Sequence, residues 1–279
     1  MADRLRQPFE TVRVTFPAEH VAHVELARTK QLNSMTTKFF NEFIEVFEAI
    51  RIDNSVRAVV VSAETHARGF TAGLDLKESA DFPKSGDDPA REAIRFLPKV
   101  QQLQRSFNVI EKCDKPVIAA VHGFCIGGGI DLIAACDIRF CSKDARFTVK
   151  EVDIGIAADL GTLQRLPKIV GNHSWVRDIC YTARFVPAQE ALQFGLVSRV
   201  LDDKEQLIKA ALETAKLIAS KSPVAVLGTK HLLNYSREHT VEEGLQYTAV
   251  WNSVMINTQD MAVAVASSLS KQPAVFAKL

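Results

Sequence analysis

KPVIAAVHGFCIGGGIDLIAACD, residues 115–137, is the stretch whose reading decides the fold. Val117 to Val121 is an unbroken apolar run, the pattern of a strand buried on both faces. Lys115-Pro116 introduces it. The chain then passes Gly123 and Gly127-Gly128-Gly129, and an apolar helix is expected from there to about Ala135. Glycine lets a ligand approach the backbone, and a helix start points its amide N–H groups outward. Such a start favours developing negative charge. For an isolated glycine triplet, close packing of helix on strand is an equally good explanation. The spacing is neither G-x-x-x-x-G-K-[ST] nor G-x-G-x-x-G, so it is neither a nucleotide P-loop nor a dinucleotide fingerprint.

On the N-terminal side, residues 11–26 read as a hairpin turning at Pro17–His20. Residues 36–52 read as an amphipathic helix with Phe39, Phe40, Phe43, Ile44, Phe47 and Ile50 on one face and Thr36 as cap. Residues 56–62 (VRAVVVS) form a second buried strand. Residues 81–92 are polar with two prolines and a glycine, as in a mobile loop, and 93–112 read as helix. On the C-terminal side, short strands are expected at 138–141 and 147–149. Helices are expected at 161–169, 173–184 and 188–194, and a last strand at 196–200. From Lys204 only helices follow, broken at Pro223. The expectation is an α/β core over 1–203 and a helical region over 204–279.

Of the 279 residues 47% are hydrophobic and 24% charged, which suits a globular chain with a large core. A net charge of +1 gives no reason to expect nucleic acid or an anionic membrane as main partner. The five cysteines show neither C-x-x-C nor zinc spacing, so they read as buried reduced thiols and no metal site is expected. No run of 18 apolar residues offers a membrane span. Asp3, Glu10 and Glu19 in the first 20 residues argue against an organellar presequence. Ala277-Lys278-Leu279 is a close variant of the Ser-Lys-Leu peroxisomal signal, so a peroxisomal location and its import receptor are expected.

Three carboxylates follow the glycine loop: Asp131, Glu151 and Asp159. Each alone reads as a cap or a surface charge, and Asp159 could cap the helix that begins near Gly161. Asp159 sits in an apolar run, residues 154–161, where an unpaired carboxylate is costly. All three beside one anion-stabilising loop are harder to explain as caps. His122 reads as a packed core residue, and no G-x-S-x-G elbow is present.

Residues 115–137 resemble the central signature of the crotonase (enoyl-CoA hydratase/isomerase) superfamily. Residues 69–77 (GFTAGLDLK) resemble its F-[ST]-x-G-x-D segment. Arg28 with Asn33 resembles its early R-x-x-x-x-N element, and residues 161–166 (GTLQRL) its G-T-Q-R-L element. The resemblance covers roughly residues 11–276. It implies an α/β crotonase-type spiral of repeated ββα units with a helical C-terminal region, assembling as a homotrimer or homohexamer. It also implies an acyl-CoA substrate held at Ala72, Gly73, Leu74, Asp75, Leu76 and Gly128, with the Leu74 and Gly128 amides forming the oxyanion hole. Lys77, Arg28 and Lys271 could meet coenzyme A phosphates, although each reads better as surface charge. Coenzyme A belongs to the substrate, and no separate cofactor is implied.

Hydratase-like members carry glutamate at both catalytic positions, whereas this chain has Asp131 and Glu151. They also carry glycines where it has Ala157-Ala158-Asp159. Residues 149–166 are similar to the Δ3,5-Δ2,4-dienoyl-CoA isomerase subgroup. That implies conversion of 3,5-dienoyl-CoA to 2,4-dienoyl-CoA in fatty acid β-oxidation, with Glu151 acting at C2, Asp159 at C6 and Asp131 hydrogen-bonded to Glu151. A 2-enoyl-CoA hydratase and a non-catalytic acyl-CoA-binding scaffold are the alternatives.

Overall fold

The computed structural model describes residues 2–78 and 88–279. The chain starts as an antiparallel hairpin, β1 (Val12–Ala18) and β2 (Val21–Leu26), turning at Glu19-His20. Helix α1 (Thr37–Ile52) follows, with the Thr36 side chain accepting from Phe39 N. Next come β3 (Ala58–Ala63), α2 (Pro89–Glu111), β4 (Val117–Val121), β5 (Phe124–Ile126) and α3 (Gly128–Ala135). The following turn holds β6 (Ile138–Ser142), β7 (Arg146–Thr148), α4 (Thr162–Val170) and α5 (His173–Thr182). Then β8 (Val186–Pro187), α6 (Ala188–Gln193) and β9 (Arg199–Leu201) complete the strands. Helices α7 (Lys204–Ala219), α8 (Pro223–Ser236), α9 (Val241–Met255) and α10 (Gln259–Ser270) end the chain.

The strands form two sheets. The larger has the order β1-β2-β3-β4-β6-β9 and is parallel from β2 onward. The smaller has the order β5-β7-β8, and Thr71 extends it through a parallel bridge to Cys125. Successive turns of chain therefore place one strand in the large sheet and one in the small sheet before a helix. That is the spiral of ββα units expected from the sequence.

Burial explains the unbroken apolar runs. Every residue of β2, β3 and β4 is buried. Val59, Val61, Val117, Ala119 and Val121 face one core, shared with Phe39, Phe43 and Phe47 of α1. Ala58, Val60, Ile118 and Ala120 face a second core under Leu207, Ala211, Ala215 and Ala219 of α7. Period 2 thus divides one run between two layers, and the small residues of α7 let that helix lie close. Helices follow from Lys204 as expected, and the first of them, α7, lies against the large sheet. Helix α8 is tied back by Lys230, whose Nζ donates to Asp137 Oδ2 at 2.7 Å and to Lys115 O at 3.0 Å.

Several boundaries differ from expectation. Helix α2 begins at Pro89, capped by Asp88, because proline at a helix start is favourable. It therefore takes up the C-terminal part of the expected 81–92 loop, and residues 79–87 lie outside the described residues. The last strand is Arg199–Leu201, since Leu196 and Val197 are buried in the turn before it. The short strands β5 and β8 were not expected. All five cysteines are buried and unpaired. Among the described residues no helix is long and apolar enough to cross a membrane.

Candidate active site

Two loops meet where the large sheet ends. The first follows β3 and is pinned at nearly every amide. Ala72 N donates to Leu32 O at 3.0 Å, Gly73 N to Thr71 Oγ1 at 3.0 Å, and Asp75 N to Met35 O at 2.9 Å. The Leu74 amide donates to no acceptor among the described residues. Asn33 supports this loop by donating to Phe70 O at 3.0 Å and accepting from Thr71 Oγ1 at 2.7 Å. The second loop follows β5. Gly127 takes φ +50°, which favours glycine, and its N–H donates to Thr148 O at 2.9 Å. The Gly128 amide opens α3, in the first turn, where amides lack an intrahelical acceptor.

The two loops are in close contact. A β-carbon on Gly73 would stand 2.6 Å from Ile126 O and 3.6 Å from Gly128 N. Gly129 has a different role: a β-carbon there would lie 2.6 Å from Thr71 Cγ2 and 3.0 Å from Cys125 Sγ. Both readings of the triplet therefore hold, close packing for Gly129 and a free amide for Gly128.

The carboxylates sit at graded depth beside this junction. Asp131 is 1% exposed, and its Oδ1 accepts from Thr162 N at 2.6 Å. Burial pushes its pKa up to about 6, against the opposing Thr162 amide. Glu151 is half-buried, and its Oε1 stands 3.2 Å from where a β-carbon on Gly127 would be. Its Oε2 is buried without a hydrogen-bond partner among the described residues. Burial, and then the charge of Asp131, raise Glu151 to about 7.

The expected hydrogen bond from Asp131 to Glu151 is not formed, because the Thr162 amide engages Asp131 instead. Asp159 is exposed at the pocket mouth, although partial burial of its carboxyl still raises its pKa. It does not cap α4, whose N-cap is Gly161. The apolar run around it is not buried as a unit. Ala158 and Leu160 point inward, whereas Ile154 and Ile156 are 44% and 36% exposed.

One pocket gathers Ala72, Gly73, Leu74, Leu76, Gly128, Glu151 and Asp159. Asp131 lies behind it, in contact with the backbone of α4 rather than the pocket. Asp75 faces away, accepting from Ser34 Oγ at 2.8 Å and from Arg28 at 3.3 Å. That pairing gives both Arg28 and Asp75 a role in holding the loop. His122 is a core residue, with its Nε2 3.0 Å from Ala67 O. Met35 and Phe40 also line the pocket; the sequence places Phe40 on the core face of its helix, and a helix-face phenylalanine reads as core. Larger pockets elsewhere, on α7 and between α8 and α10, contain none of this chemistry.

Residues 17–278 match the family described as enoyl-CoA hydratase/isomerase. A mouse protein named Delta(3,5)-Delta(2,4)-dienoyl-CoA isomerase, mitochondrial, is 50% identical over 95% of this chain and 81% of its own length. An Arabidopsis thaliana protein of the same name, but peroxisomal, is 43% identical over 93% of each chain. The crystal structure of an enoyl-CoA hydratase from Bacillus anthracis superposes with a TM-score of 0.86 at 29% identity, covering 96% of this chain and 99% of that one.

The raised pKa of Glu151 makes stability depend on pH. Its carboxyl ionises at about 7 in the fold and near 4.5 when unperturbed, so the folded chain keeps a proton that the unfolded chain has released. That contribution is full below the unperturbed value and is lost as pH rises through the folded one. Glu151→Gln should therefore gain roughly 3 kcal/mol over the parent at pH 8 and nothing at pH 4. Urea unfolding at the two pH values checks this, and a pH-independent difference would contradict it.

Proposed function

The chain belongs to the enoyl-CoA hydratase/isomerase (crotonase) family, and from that membership we propose that it converts 3,5-dienoyl-CoA to 2,4-dienoyl-CoA in fatty acid β-oxidation. The observation that carries this reading is Asp159, a third carboxylate on the same pocket as Glu151 and the Leu74–Gly128 junction. Glu151 removes the C2 proton. The electron pair moves through the thioester, whose oxygen takes the developing charge at the Leu74 and Gly128 amides. Preset donors of this kind lower a barrier by roughly 3–4 kcal/mol each. Asp159 then delivers a proton to C6, which leaves double bonds at C2 and C4.

A base with a pKa of about 7 is partly ionised near neutrality and holds the abstracted proton well. Asp131 adds negative charge behind it and opposes full ionisation of the group. The hydratase alternative needs a second acid beside Glu151 to activate water. Asp131 occupies that sequence position, but it is withdrawn onto the Thr162 amide and does not line the pocket. A scaffold without activity has no use for the raised pKa of Glu151. Coenzyme A enters as part of the substrate, and no separate cofactor has a role in these steps.

The proposal extends to assembly and location. Leu233, Leu245, Val254 and Met261 are exposed on α8, α9 and α10, an apolar surface suited to burial in a homotrimer or a homohexamer. Sedimentation equilibrium should give three or six copies, and a monomer at micromolar concentration would defeat this. The relatives are divided between peroxisome and mitochondrion. Here Ala277-Lys278-Leu279 is exposed, favouring the peroxisome through its import receptor. Deleting the three residues should move a tagged chain to the cytosol, whereas an unchanged distribution would count against the signal.

The activity is tested by comparing kcat/KM for a 3,5-dienoyl-CoA and a 2-enoyl-CoA. The dienoyl substrate should be preferred by at least roughly a hundredfold, about 2.7 kcal/mol of transition-state binding. In deuterated water, Asp159→Asn should abolish turnover while C2 exchange persists, and Glu151→Gln should stop both. Reversed behaviour of the two variants would exchange their roles.

A further inference from the structure

The Asp159 carboxylate takes no hydrogen bond or ion pair from any other described residue, so its backbone alone sets its place. That backbone is held by helix α2. Gln104, Asn108 and Glu111 fall at i, i+4 and i+7 and so share one face of that helix. Gln104 Nε2 donates to Asp159 O at 2.8 Å. Arg165 Nη2 donates to Asn108 Oδ1 at 2.6 Å and to Glu111 Oε2 at 2.8 Å, and Arg165 Nε donates to the same carboxylate oxygen at 3.2 Å.

The chain between these anchors is Leu160-Gly161-Thr162. Thr162 N is fixed on Asp131, and Gly161 leaves the space that the Arg165 guanidinium fills, since a β-carbon there would overlap it. We infer that the Gln104–Asn108–Glu111 face of α2 is a positioning device for the C6 proton donor, with Gln104 as the positioning residue nearest Asp159. This rests on the dienoyl isomerase reading above. The logic is geometric: an acid near solvent with no partner of its own can meet C6 only if its main chain is fixed. Glu151, on its own 3-10 turn (Glu151–Ile154), does not depend on this hold.

The two proton transfers should therefore separate when Gln104 is changed. Gln104→Met keeps the length and bulk of the side chain and removes the donor. Expected is a roughly tenfold lower kcat with C2 exchange in deuterated water unchanged, as for a misplaced reacting group. The ratio of C2 exchange to product formation then rises about tenfold over the parent. Arg165→Lys, which keeps the charge and loses the forked grip, should move that ratio in the same direction. A merely structural defect lowers exchange and turnover together and leaves the ratio where it was. An unchanged ratio in both variants overturns the inference, provided Asp159→Asn raises it in the same assay. If Asp159→Asn itself keeps parental turnover, the isomerase reading fails instead.

Discussion

The burial of β4 on both faces is the constraint on which the rest of the structure depends. Ala119 and Val121 are closed off by the α1 side of the core, and Ile118 and Ala120 by α7. A strand enclosed in this way suits a parallel sheet whose connections cross over its faces. Its neighbours β3 and β6 are both parallel to it. Parallel strands release their chains at the same end, so the loops after β3 and β4 emerge together. The chain after β4 forms β5 before it reaches Gly128, and Thr71 pairs with Cys125 of β5, so the small sheet brings Leu74 and Gly128 together. Sites at the carboxyl ends of parallel strands follow from this rule in other α/β folds as well.

The electrostatics follow from the same packing. Helix α3 is buried along its whole length, so Asp131 in its first turn is enclosed. A carboxylate there needs a donor, and the amide at the start of α4 provides one. Helix α4 is in turn held by its own Arg165, which donates to Asn108 and Glu111 on α2. The acid that sits deepest is thus satisfied by backbone, while Glu151 in front of it keeps one oxygen without a partner among the described residues. Burial raises both carboxyls, and Glu151 also feels the charge of Asp131 behind it.

Runs such as Val117–Val121, whose lack of alternation reflects burial on two sides, made the α/β core legible, and the spiral came from the family resemblance. The sequence made the site legible through the glycine loops, because backbone approach demands glycine whatever the surroundings. What it concealed had physical causes. Strand β5 is three residues long between glycines, too short for any period to register. The run containing Asp159 suggested burial, but half of its apolar side chains line an open pocket instead. Proximity of Asp131 to Glu151 was readable from the resemblance, whereas the competing amide of Thr162, 31 residues further on, was not. Gln104 carried a signal only as part of a polar stripe at helical spacing, which is indistinguishable from a solvated face until its partners are known.

The graded burial of the three acids suits a proton shift between distant carbons. Asp131 is enclosed, Glu151 is half-buried and Asp159 is exposed. On the proposed reading, an acyl chain entering past Leu76, Ile154 and Ile156 excludes water from the pocket mouth. It therefore changes the surroundings of Asp159 more than those of Asp131. Desolvation favours the protonated carboxyl, so the group required as an acid is the one whose pKa substrate binding raises most. Glu151 already has much of that environment before binding and changes less. The base is set by the fold and the acid by the substrate, which couples C6 protonation to a correctly seated chain.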